Sequence, residues 1–573
     1  MVNRHLHGWA RPLAVLALCL AVGTSAAAQS GSGTLVGAVA DEQGATMPGA
    51  TVVVTEVATG ATRTVVTGTD GAFSFASLPP GRYRFQISLS GFSPLNLTDV
   101  NLAPTEIRDL GRQTLRLGQL NEVVSVSAEG ASVQTATSSR MGTVTADQLT
   151  NLTQKGRDVW GMMSVVPGVQ DTNMRRDFST WTSMGAITIN GMPATSKVVV
   201  MDGVSIVDEL GSNAMVNPNI DAVGEVQVIS SGFTAENGRS NGGLVVMTTK
   251  SGTNRFSGSA WYNARRAEWN ANEYFREKQG LSKPLYHVNI PGYSLGGPIW
   301  IPKVIDKGTL FFFASQEFTD DLRESVLVRN NMPTALERVG NFSQTYFGNA
   351  NGPGQGTLQA IIDPLTGQAF PGNVIPQNRI NPLGAAMVNL LMMPNDIHNP
   401  ANNQYNAANN LVETLPRHSR TNTTLRLDVV LGERLRGSWR FIKDREDNIS
   451  NNAFSPGIGL TNNAVPGKIS TGSITAVLSP SMVNETTFGY AWNSYSWIEP
   501  KGEFAEDYRK YYRSAAGIDP PKLYPFGPYR DPQGVGYEYD QADQYPYLPT
   551  MNYSGGNRAN LANYNPASAA NRI

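Results

Sequence analysis

The segment TLRLDVVLGERLRGSWRFIK, late in the chain, alternates so regularly that it predicts two strands and the tight turn between them. Leu425 and Leu427 share one face of the first strand, and Arg426 lies on the other. Trp439 and Phe441 share one face of the second strand. Side chains that change sides at every residue indicate a β-strand between two different environments. A strand of a membrane barrel needs about ten such residues, although the strands of a soluble sandwich alternate as well.

The spacing between such segments separates these two possibilities. We expect strands near residues 254–266, 287–299, 308–318, 421–431, 434–445, 470–479 and 482–493. The connections after the first, third, fifth and seventh are long and the others are short, so all long connections lie on one side of the sheet. The longest, from Thr319 to Arg420, is far too long for a compact soluble sandwich and suits an outer loop of a membrane barrel.

The amino terminus predicts export. Residues 1–28 contain Arg4 and Arg11, the apolar run LAVLALCLAVG and the small-residue exit SAAAQS, which together are typical of a cleaved signal peptide. The apolar run is shorter than the roughly 20 residues of a membrane-spanning helix. Cys19 is the single cysteine of the sequence, so a chain cut after Ala28 holds no disulfide, thiolate metal site or cysteine nucleophile.

The composition excludes several function classes. A formal net charge of −1 gives no reason to expect nucleic acid as a partner. The 57 glycines and 34 prolines punctuate short segments rich in β-branched and aromatic residues, which predicts a mainly β protein of more than one domain. His287, His398 and His418 are scattered without metal-binding spacing, and no nucleophile motif occurs. We therefore expect no catalytic residue, no metal site and no cofactor.

The first domain is predicted over residues 29–117. Short runs such as TLVGAVA, ATVVVTEV, AFSFASL and RYRFQISL are separated by the turns DEQG, TG, TDG and PPG. Glycine and proline give these turns their backbone geometry, and six or seven strands at this spacing predict a small β-sandwich. The order of the turns resembles the carboxypeptidase regulatory-like, transthyretin-like domain. We expect a structural or docking module with nothing catalytic in it.

Residues 118–130 form a linker with one short alternating strand. Val124 and Val126 alternate with Ser125 and Ser127. A strand that lacks a hairpin partner is suited to pairing with another chain through main-chain hydrogen bonds. It is equally well interpreted as the last strand of the sandwich or as plain linker.

Residues 131–252 combine one helical stretch, TADQLTNLTQKGRDVWGMMSVVPGV, with short strands such as AITING, SKVVVMDGV, GEVQVIS and GLVVMTTKSG. Asn190-Gly191 and Asp202-Gly203 predict tight turns between these strands. The order TINGMP, VVVMDGV, IDAVGEVQVISSGF and AENGRSNGGLVVMTTKSGTN resembles the plug of a TonB-dependent outer-membrane transporter of the Oar-like subgroup. The resemblance continues through LGGPIW, DKGTLFFFASQEF and IIDPLTGQAFPGNVIPQNRINPLG.

This resemblance implies the architecture of the whole chain. The fold is mainly β: an amino-terminal sandwich, an α+β plug and, within residues 253–573, the first strands, about seven, of a barrel of about 22 strands in the outer membrane of a diderm bacterium. Seven strands cannot close around a plug, and an open sheet edge is not tolerated in hydrocarbon. Since the sequence ends at Ile573 rather than at an aromatic residue, we expect the amino-terminal part of a longer protein.

The resemblance also implies partners and site residues. TonB would grip a box strand, which here is Glu122, Val123, Val124, Ser125 and Val126. Plug residues that would brace the plug or let its backbone pass close to the barrel wall are Gly191, Asp202, Gly203, Glu225, Glu236, Gly238, Arg239, Gly242 and Gly243. Outer-membrane lipid surrounds the barrel. The substrate, bound by outer loops and plug, is an iron chelate such as a siderophore, cobalamin, an oligosaccharide or a peptide.

Two other function classes stay open at this point. An enzyme is suggested only by the regulatory-like domain. A non-transporting surface or periplasmic β-sandwich protein, acting in binding or adhesion, predicts that the hairpins after residue 420 pack their apolar faces into a core. A transporter predicts instead that Trp439, Phe441, Tyr490 and Trp492 face outward into lipid.

Overall fold

The structure of the chain is a computed structural model. It describes residues 31–118, 124–127, 138–152, 156–173, 179–208, 213–233, 238, 240–278, 280–323, 328–330, 332–345, 358, 360–389, 391–395, 410–412, 416–450, 461–479, 482–498 and 571–572. The predicted signal peptide lies outside the described residues, as do Glu122, Val123, Glu236, Arg239 and His398. Within the described ranges, none of the helices has the length and apolarity needed to cross a lipid bilayer.

The first part of the chain forms a sandwich of two β-sheets. Its strands are β1 (Gly33–Ala40), β2 (Thr51–Glu56), β3 (Thr62–Val66), β4 (Ala72–Leu78), β5 (Gly81–Ser88), β6 (Leu95–Leu102), β7 (Ile107–Thr114) and β8 (Val124–Ser127). One sheet has the order β4-β1-β7 and the other the order β3-β2-β5-β6-β8. Phe73, Phe75 and Phe85 form an aromatic cluster in the core, with ring centroids between 5.9 and 6.3 Å apart. This cluster is the apolar centre that joins the two sheets.

The strand predicted in the linker belongs to this sandwich. Residues Val124–Ser127 pair in parallel with Leu95–Thr98, at the edge of the five-stranded sheet. Of the interpretations that the sequence left open, the described structure contains the one in which this segment is the last strand of the sandwich.

Residues 138–252 form a central α+β domain. Its strands are β9 (Arg140–Thr145), β10 (Val169–Asp171), β11 (Ile187–Ile189), β12 (Val198–Met201), β13 (Val204–Ser205), β14 (Val223–Ser231) and β15 (Leu244–Thr249), and its helices are α1 (Ala146–Asn151) and α2 (Val159–Met162). The main sheet has the order β13-β12-β15-β14-β9. β14 and β15 are buried along nearly their whole length, which explains their continuous apolar sequences.

The single helical stretch predicted in this domain is divided in two. Thr145 begins α1 with a capping box to Gln148. Gly156 and Arg157 both have a positive φ, 107° and 50°, and α2 begins only at Val159. The prediction of one helix was wrong, because these two residues turn the chain in a conformation that no right-handed helix contains.

The remaining strands are β16 (Ser257–Arg266), β17 (Tyr286–Ile301), β18 (Ile305–Arg323), β19 (Val328–Asn330), β20 (Asn410–Val412), β21 (Arg417–Leu431), β22 (Leu435–Ser450), β23 (Thr461–Ser479), β24 (Met482–Ile498) and β25 (Asn571–Arg572). Strands β16, β17, β18 and β21 to β24 form one antiparallel meander, which we call the strand wall, and β25 pairs with β24 at its edge. The wall strands lie where the sequence predicted them.

Most of the wall strands extend beyond their predicted ends. β23 begins at Thr461 rather than near residue 470, so the connection before it is shorter than expected. In β21 the outward residues change from apolar to polar at Thr423, yet the ladder continues to Arg417, which pairs with Ile449. Hydrophobic alternation therefore ends before the strand does, and the sequence pattern underestimates the strand length.

The long connections contain local structure of their own. α3 (Tyr274–Lys278) precedes β17, while α4 (Ala335–Arg338) and α5 (Pro382–Asn389) lie between β18 and β21. In this second connection β19 pairs with β20, and both carboxylate oxygens of Asp363 accept hydrogen bonds from Arg379, at 2.7 and 3.0 Å. The connection predicted as irregular outer loop is thus partly folded.

The strand wall is apolar on its outer face and mainly polar on its inner face, where Phe311, Ile442 and Ile469 are buried apolar exceptions. Leu427 is 37% exposed, Trp439 41% and Phe488 74%, whereas Arg440 is only 2% exposed. Phe441 stacks on the outward Trp439 ring. The hairpins after residue 420 therefore do not pack their apolar faces into a core, and the expectation of the adhesion alternative is wrong on this point.

Candidate functional site

The inner face of the strand wall contacts the central domain through buried charged and amide side chains. We call this contact surface the inner interface. Three clusters, centred on Asp202, Arg157 and Asn217, join the two parts of the chain.

Asp202 occupies the tight turn between β12 and β13, where Asp202 and Gly203 have positive φ values of 43° and 86°. The turn was predicted from the Asp-Gly pair, and it directs the Asp202 carboxylate at the wall. Asp202 Oδ2 accepts hydrogen bonds from Arg440 Nη1 at 2.5 Å and from Thr249 Oγ1 at 2.6 Å. Arg426 Nη1 lies 3.9 Å from Asp202 Oδ1. Asp202 thus links two wall strands to the last strand of the central domain.

This cluster keeps the Asp202 carboxylate charged. Arg426 also binds both oxygens of Asp428 and donates to the Thr249 carbonyl at 2.8 Å. Burial raises the pKa of Asp202, but Arg440, Arg426 and Thr249 outweigh burial and hold that pKa below its ordinary value. The carboxylate is therefore ionised at neutral pH and compensates the charge of its arginine neighbours.

Arg157 reaches from the central domain to the wall. Its Nε donates to Glu317 Oε2 on β18 at 3.0 Å, and its Nη2 binds Asp221. The guanidinium lies 5.1 Å from the ring of Trp261, whose Nε1 donates to the same Glu317 oxygen at 3.1 Å. Burial lowers the pKa of Arg157, but Glu317 and Asp221 outweigh burial and raise it, so the guanidinium is charged.

Asn217 binds the wall through its main chain. Its N–H donates to Asp444 Oδ2 at 2.8 Å, and its carbonyl accepts hydrogen bonds from Asn422 Nδ2 at 2.8 Å and from Arg420. Arg420 Nε lies 2.9 Å from Asp444 Oδ1, and Trp160 Nε1 donates to Asn217 Oδ1 at 2.6 Å. All five residues are buried. Removal of one partner would leave another without its hydrogen bond, which costs more than the bond contributes net.

Three glycines let the central domain and the wall approach closely. A side chain at Gly467 of β23 would collide with the Met215 carbonyl of the central domain. A side chain at Gly489 of β24 would collide with Val204, and a side chain at Gly252 would collide with the main chain of Phe312. Gly252 lies two residues before the end of the segment AENGRSNGGLVVMTTKSGTN, where the chain passes from the central domain to the wall.

Gly242 and Gly243 do not have the role predicted for them. They were expected to pass close to the wall, but their neighbours are Ser196 and Ile189 of the central domain itself. Gly243 has a φ of 120°, so the chain needs glycine there to turn into β15. The two glycines therefore shape the central domain, and Gly252 makes the close approach to the wall.

Glu225 is turned toward the sandwich. It is 8% exposed in β14, where it pairs with Thr145 and Thr248 of the neighbouring strands. Burial, together with the Glu106 carboxylate of the sandwich, raises the pKa of Glu225 to about 8. The prediction that Glu225 braces the wall is corrected, because its charged neighbour comes from a different part of the chain.

The other predicted site residues are not brought together. Gly191 has a φ of 71° in the turn after β11, and Gly238 is exposed in a turn. Glu236 and Arg239 lie outside the described residues. Of the predicted box, Val124, Ser125 and Val126 lie in β8, away from the inner interface.

The sandwich contacts the short-turn end of the wall. Glu56 Oε2 lies 3.3 Å from Arg436 Nη1, and Ser32 Oγ donates to Glu485 Oε2 at 2.7 Å. Sandwich, central domain and wall together enclose a cavity of about 160 Å³. The sandwich is therefore fixed to the wall at the end opposite the long connections.

Sequence reasoning missed most of the inner interface. Arg420 and Asp444 carried a signal, because they share the inward register of Arg426 and Arg440 along β21 and β22. Arg157 lies in a connection between two helices, so no periodic pattern could have identified it.

The inner interface joins the two parts mainly through ion pairs and hydrogen bonds, beside a small apolar contact in which Ile442 and Ile469 of the wall pack into the core of the central domain. Ion pairs and hydrogen bonds exchange with water at small net cost, so such a contact can be both firm and releasable. In the part of the chain that the structure describes, no group of three or more His, Cys, Asp and Glu side chains is arranged to hold a metal ion. Of the two described histidines, His418 lies 3.2 Å from Glu446 and His287 lies 2.9 Å from Asn289.

Comparison with known proteins identifies two parts of the chain. Residues 248–573, more than half of the chain, match a family model described as an outer membrane beta barrel domain, and residues 34–116 match the carboxypeptidase regulatory-like domain. The TonB-dependent transporter Oar of Myxococcus xanthus is 30% identical over 318 residues, which are 52% of this chain and 28% of that protein. The chain thus spans less than a third of the length of this relative.

The similar solved structures include transporters and receptors. The outer membrane transporter YddB from Escherichia coli has 12% identity and a TM-score of 0.37, over 62% of this chain and 39% of that chain. A mutant of the ferric enterobactin receptor from Pseudomonas aeruginosa, in complex with enterobactin, has 12% identity and a TM-score of 0.36, over 63% and 42%. These relatives are transporters and receptors rather than enzymes.

Proposed function

The chain belongs to the outer membrane beta barrel domain family, and from this premise we propose that it acts in TonB-dependent import across the outer membrane. The central domain is the plug of a barrel of about 22 strands, to which the strand wall contributes the first strands. A substrate binds the long connections and the plug, TonB pulls on residues 122–126, and the plug shifts within the wall.

The observation that carries this proposal is the inner interface. A domain that must stay bound in one position and then move needs contacts that are specific and mainly polar. The clusters around Asp202, Arg157 and Asn217 have this character, since each pairs charges or amides across the contact surface. An apolar seam of the same size would favour permanent association.

The structure indicates where a substrate would bind more directly than it indicates the chemical class of that substrate. The partly folded connection between β18 and β21 is the longest one at the loop end of the wall, and one of the similar structures is a receptor in complex with enterobactin. We propose an iron chelate such as a siderophore, an oligosaccharide or a peptide, recognised by that connection together with the exposed end of the plug.

TonB binding gives a test that needs no substrate. The protein, expressed from its full reading frame and purified in detergent, is expected to bind the periplasmic domain of TonB. Replacing residues 122–126 with glycine and serine should abolish binding, since the partner would lose a strand with which to pair. Replacing residues 131–135 in the same way is the matched control and should preserve it. Equal binding by both variants, or none by the unchanged protein, would contradict the proposal.

A further inference from the structure

β8 is held on the sandwich in a register that matches its sequence. The register pairs Leu95 with Val124, Asn96 with Ser125, Leu97 with Val126, and Thr98 with Ser127. Apolar residues are therefore opposite apolar residues, and polar residues are opposite polar residues. A shift by one residue would place apolar residues opposite polar ones, so the pattern favours this one alignment.

The edge of β6 is the surface that β8 covers. Without β8, β6 would be the last strand of its sheet, with a row of free main-chain N–H and C=O groups. β8 satisfies that edge with its own main chain. Recognition of a strand by a partner protein uses main-chain groups of the same kind, so sandwich and partner would draw on one short segment.

The sandwich that holds β8 is anchored to the wall. Asn254 N donates to the Ala58 carbonyl at 3.0 Å, and Arg436 Nη1 lies 3.3 Å from Glu56 Oε2. A force applied to β8 while it remains paired with β6 would therefore pass through the sandwich to the wall. Once β8 has left the sandwich, force on it passes directly along residues 128–139 to the central domain.

We propose that the edge of β6 stores the TonB box and that TonB takes the box by displacing β6. This inference rests on the proposed function, because it assigns residues 122–126 to TonB. The sandwich then acts as a holder that lowers the apparent affinity for TonB by the fraction of chains in which β8 is detached. A pairing of only four residues opens by local fluctuation, so the box is released without unfolding of the sandwich.

A disulfide between the two strands tests the competition. Asn96 and Ser125 are opposite each other, and neighbouring strands lie about 4.8 Å apart, within the span of a disulfide. Within residues 1–573 the single natural cysteine is Cys19, in the predicted signal peptide, and any cysteine further along the reading frame is replaced by serine. The variant N96C/S125C, purified from the full reading frame, is titrated with the periplasmic domain of TonB before and after reduction. We expect the oxidised protein to bind about tenfold more weakly or worse, and the reduced protein to bind like the unchanged one.

Two further variants serve as a second test and a control for this result. T98C/S127C locks the same pair of strands at the next polar position and should behave like N96C/S125C. V53C/T64C links β2 to β3 in the same sandwich without touching β6, and its oxidised form should bind TonB normally.

The outcomes separate this inference from the proposed function. Equal binding by oxidised and reduced N96C/S125C would overturn the competition, since TonB would then bind another edge or another segment. Failure of both locking disulfides to form under mild oxidation would contradict the pairing of β8 with β6. Absence of TonB binding by the unchanged protein would contradict the proposed function and this inference together.

Discussion

The sandwich and the strand wall are built from the same alternating strands and use them in opposite senses. In β2 of the sandwich, Val52 and Val54 are buried and alternate with more exposed residues. In β21 of the wall, Leu425 and Leu427 are exposed, and Arg426 points inward to Asp202 and Thr249. The sandwich buries an aromatic cluster between its sheets, whereas the strand wall contacts a separate domain through paired charges.

Hydrophobic alternation therefore shows that a strand has one apolar and one polar face, but it does not show which of the two faces the protein interior. In the sandwich, two sheets close on each other, so the apolar faces meet and leave water. The wall is a single sheet whose inner face contacts the central domain mainly through polar side chains, so its apolar outer face needs an apolar neighbour outside. Outer-membrane lipid, expected from the family to which the chain belongs, is that neighbour.

The largest predicted effect is a loss of stability in the sandwich. Phe85→Ala removes a ring that contacts Phe73 and Phe75, and should lower the free energy of unfolding of the sandwich by about 3–5 kcal/mol. Phe488→Ala, which removes a ring that is 74% exposed on the wall, should change stability by less than about 0.5 kcal/mol in detergent. Hydrogen exchange of β5 and β24 in increasing urea measures both. Equal costs would contradict the opposite use of the two apolar faces.

The next effect breaks the inner interface. Arg440→Met leaves Asp202 with Thr249 and the more distant Arg426, and should weaken the seating of the central domain by about 3 kcal/mol. Arg445→Met is the matched control on the same strand, because Arg445 is 62% exposed and its ion pair contributes under about 1 kcal/mol.

Protease accessibility of the central domain in increasing urea measures this seating. Adding Asp202→Asn to Arg440→Met should restore part of the loss, since it removes the uncompensated charge. A loss no larger for Arg440→Met than for Arg445→Met would show that Asp202 does not hold the two parts together.

The sequence predicted the elements better than it predicted their contacts. Strand positions and the Asp202-Gly203 turn follow from local chemistry, because hydrophobic alternation and turn residues act over a few positions. The wall partners of Asp202, Arg426 and Arg440, are both more than about 200 residues away in the chain, and Glu225 is directed at the sandwich rather than the wall. Such pairings depend on how separate domains dock, which no local pattern encodes.

A charge placed on the outer face of β21 tests whether that face contacts lipid. Leu427→Arg places a cation where the wall is apolar and should lower the free energy of unfolding in lipid vesicles by about 2 kcal/mol. Thr423→Arg lies on the same face of β21, above the apolar residues, and should cost only the hydrogen bond that Gln316 Nε2 donates to Thr423 Oγ1, about 0.5–1 kcal/mol. Urea titration of the protein in vesicles compares the two. A similar cost at Thr423 would contradict the limit of the apolar band.

The smallest effect concerns the contact between sandwich and central domain, where carboxyls face each other instead of being paired with cations. Burial and Glu106 raise the pKa of Glu225 from an ordinary 4.5 to about 8. Between these pH values the unfolded chain has released the Glu225 proton while the folded chain keeps it, so stability falls as pH rises. Glu225→Gln should flatten this dependence, by on the order of 1 kcal/mol between pH 6 and 8.

Thermal unfolding of the unchanged protein and of Glu225→Gln across that range is the measurement. Glu273→Gln, at an exposed position whose side chain faces neither carboxyl, is the control and should leave the slope unchanged. A slope that survives in Glu225→Gln would assign the pH dependence to another group.

The most direct test of the central claim is a scan of single cysteines along β21 from Thr424 to Leu431 in outer-membrane vesicles. A spin label at each position reports its access to oxygen dissolved in lipid and to a water-soluble relaxation agent. The account predicts high lipid access at Leu425, Leu427 and Val429, with low access to both reagents at Arg426 and Asp428. Access without a period of two, or with the reverse phase, would contradict the assignment of the apolar face to lipid.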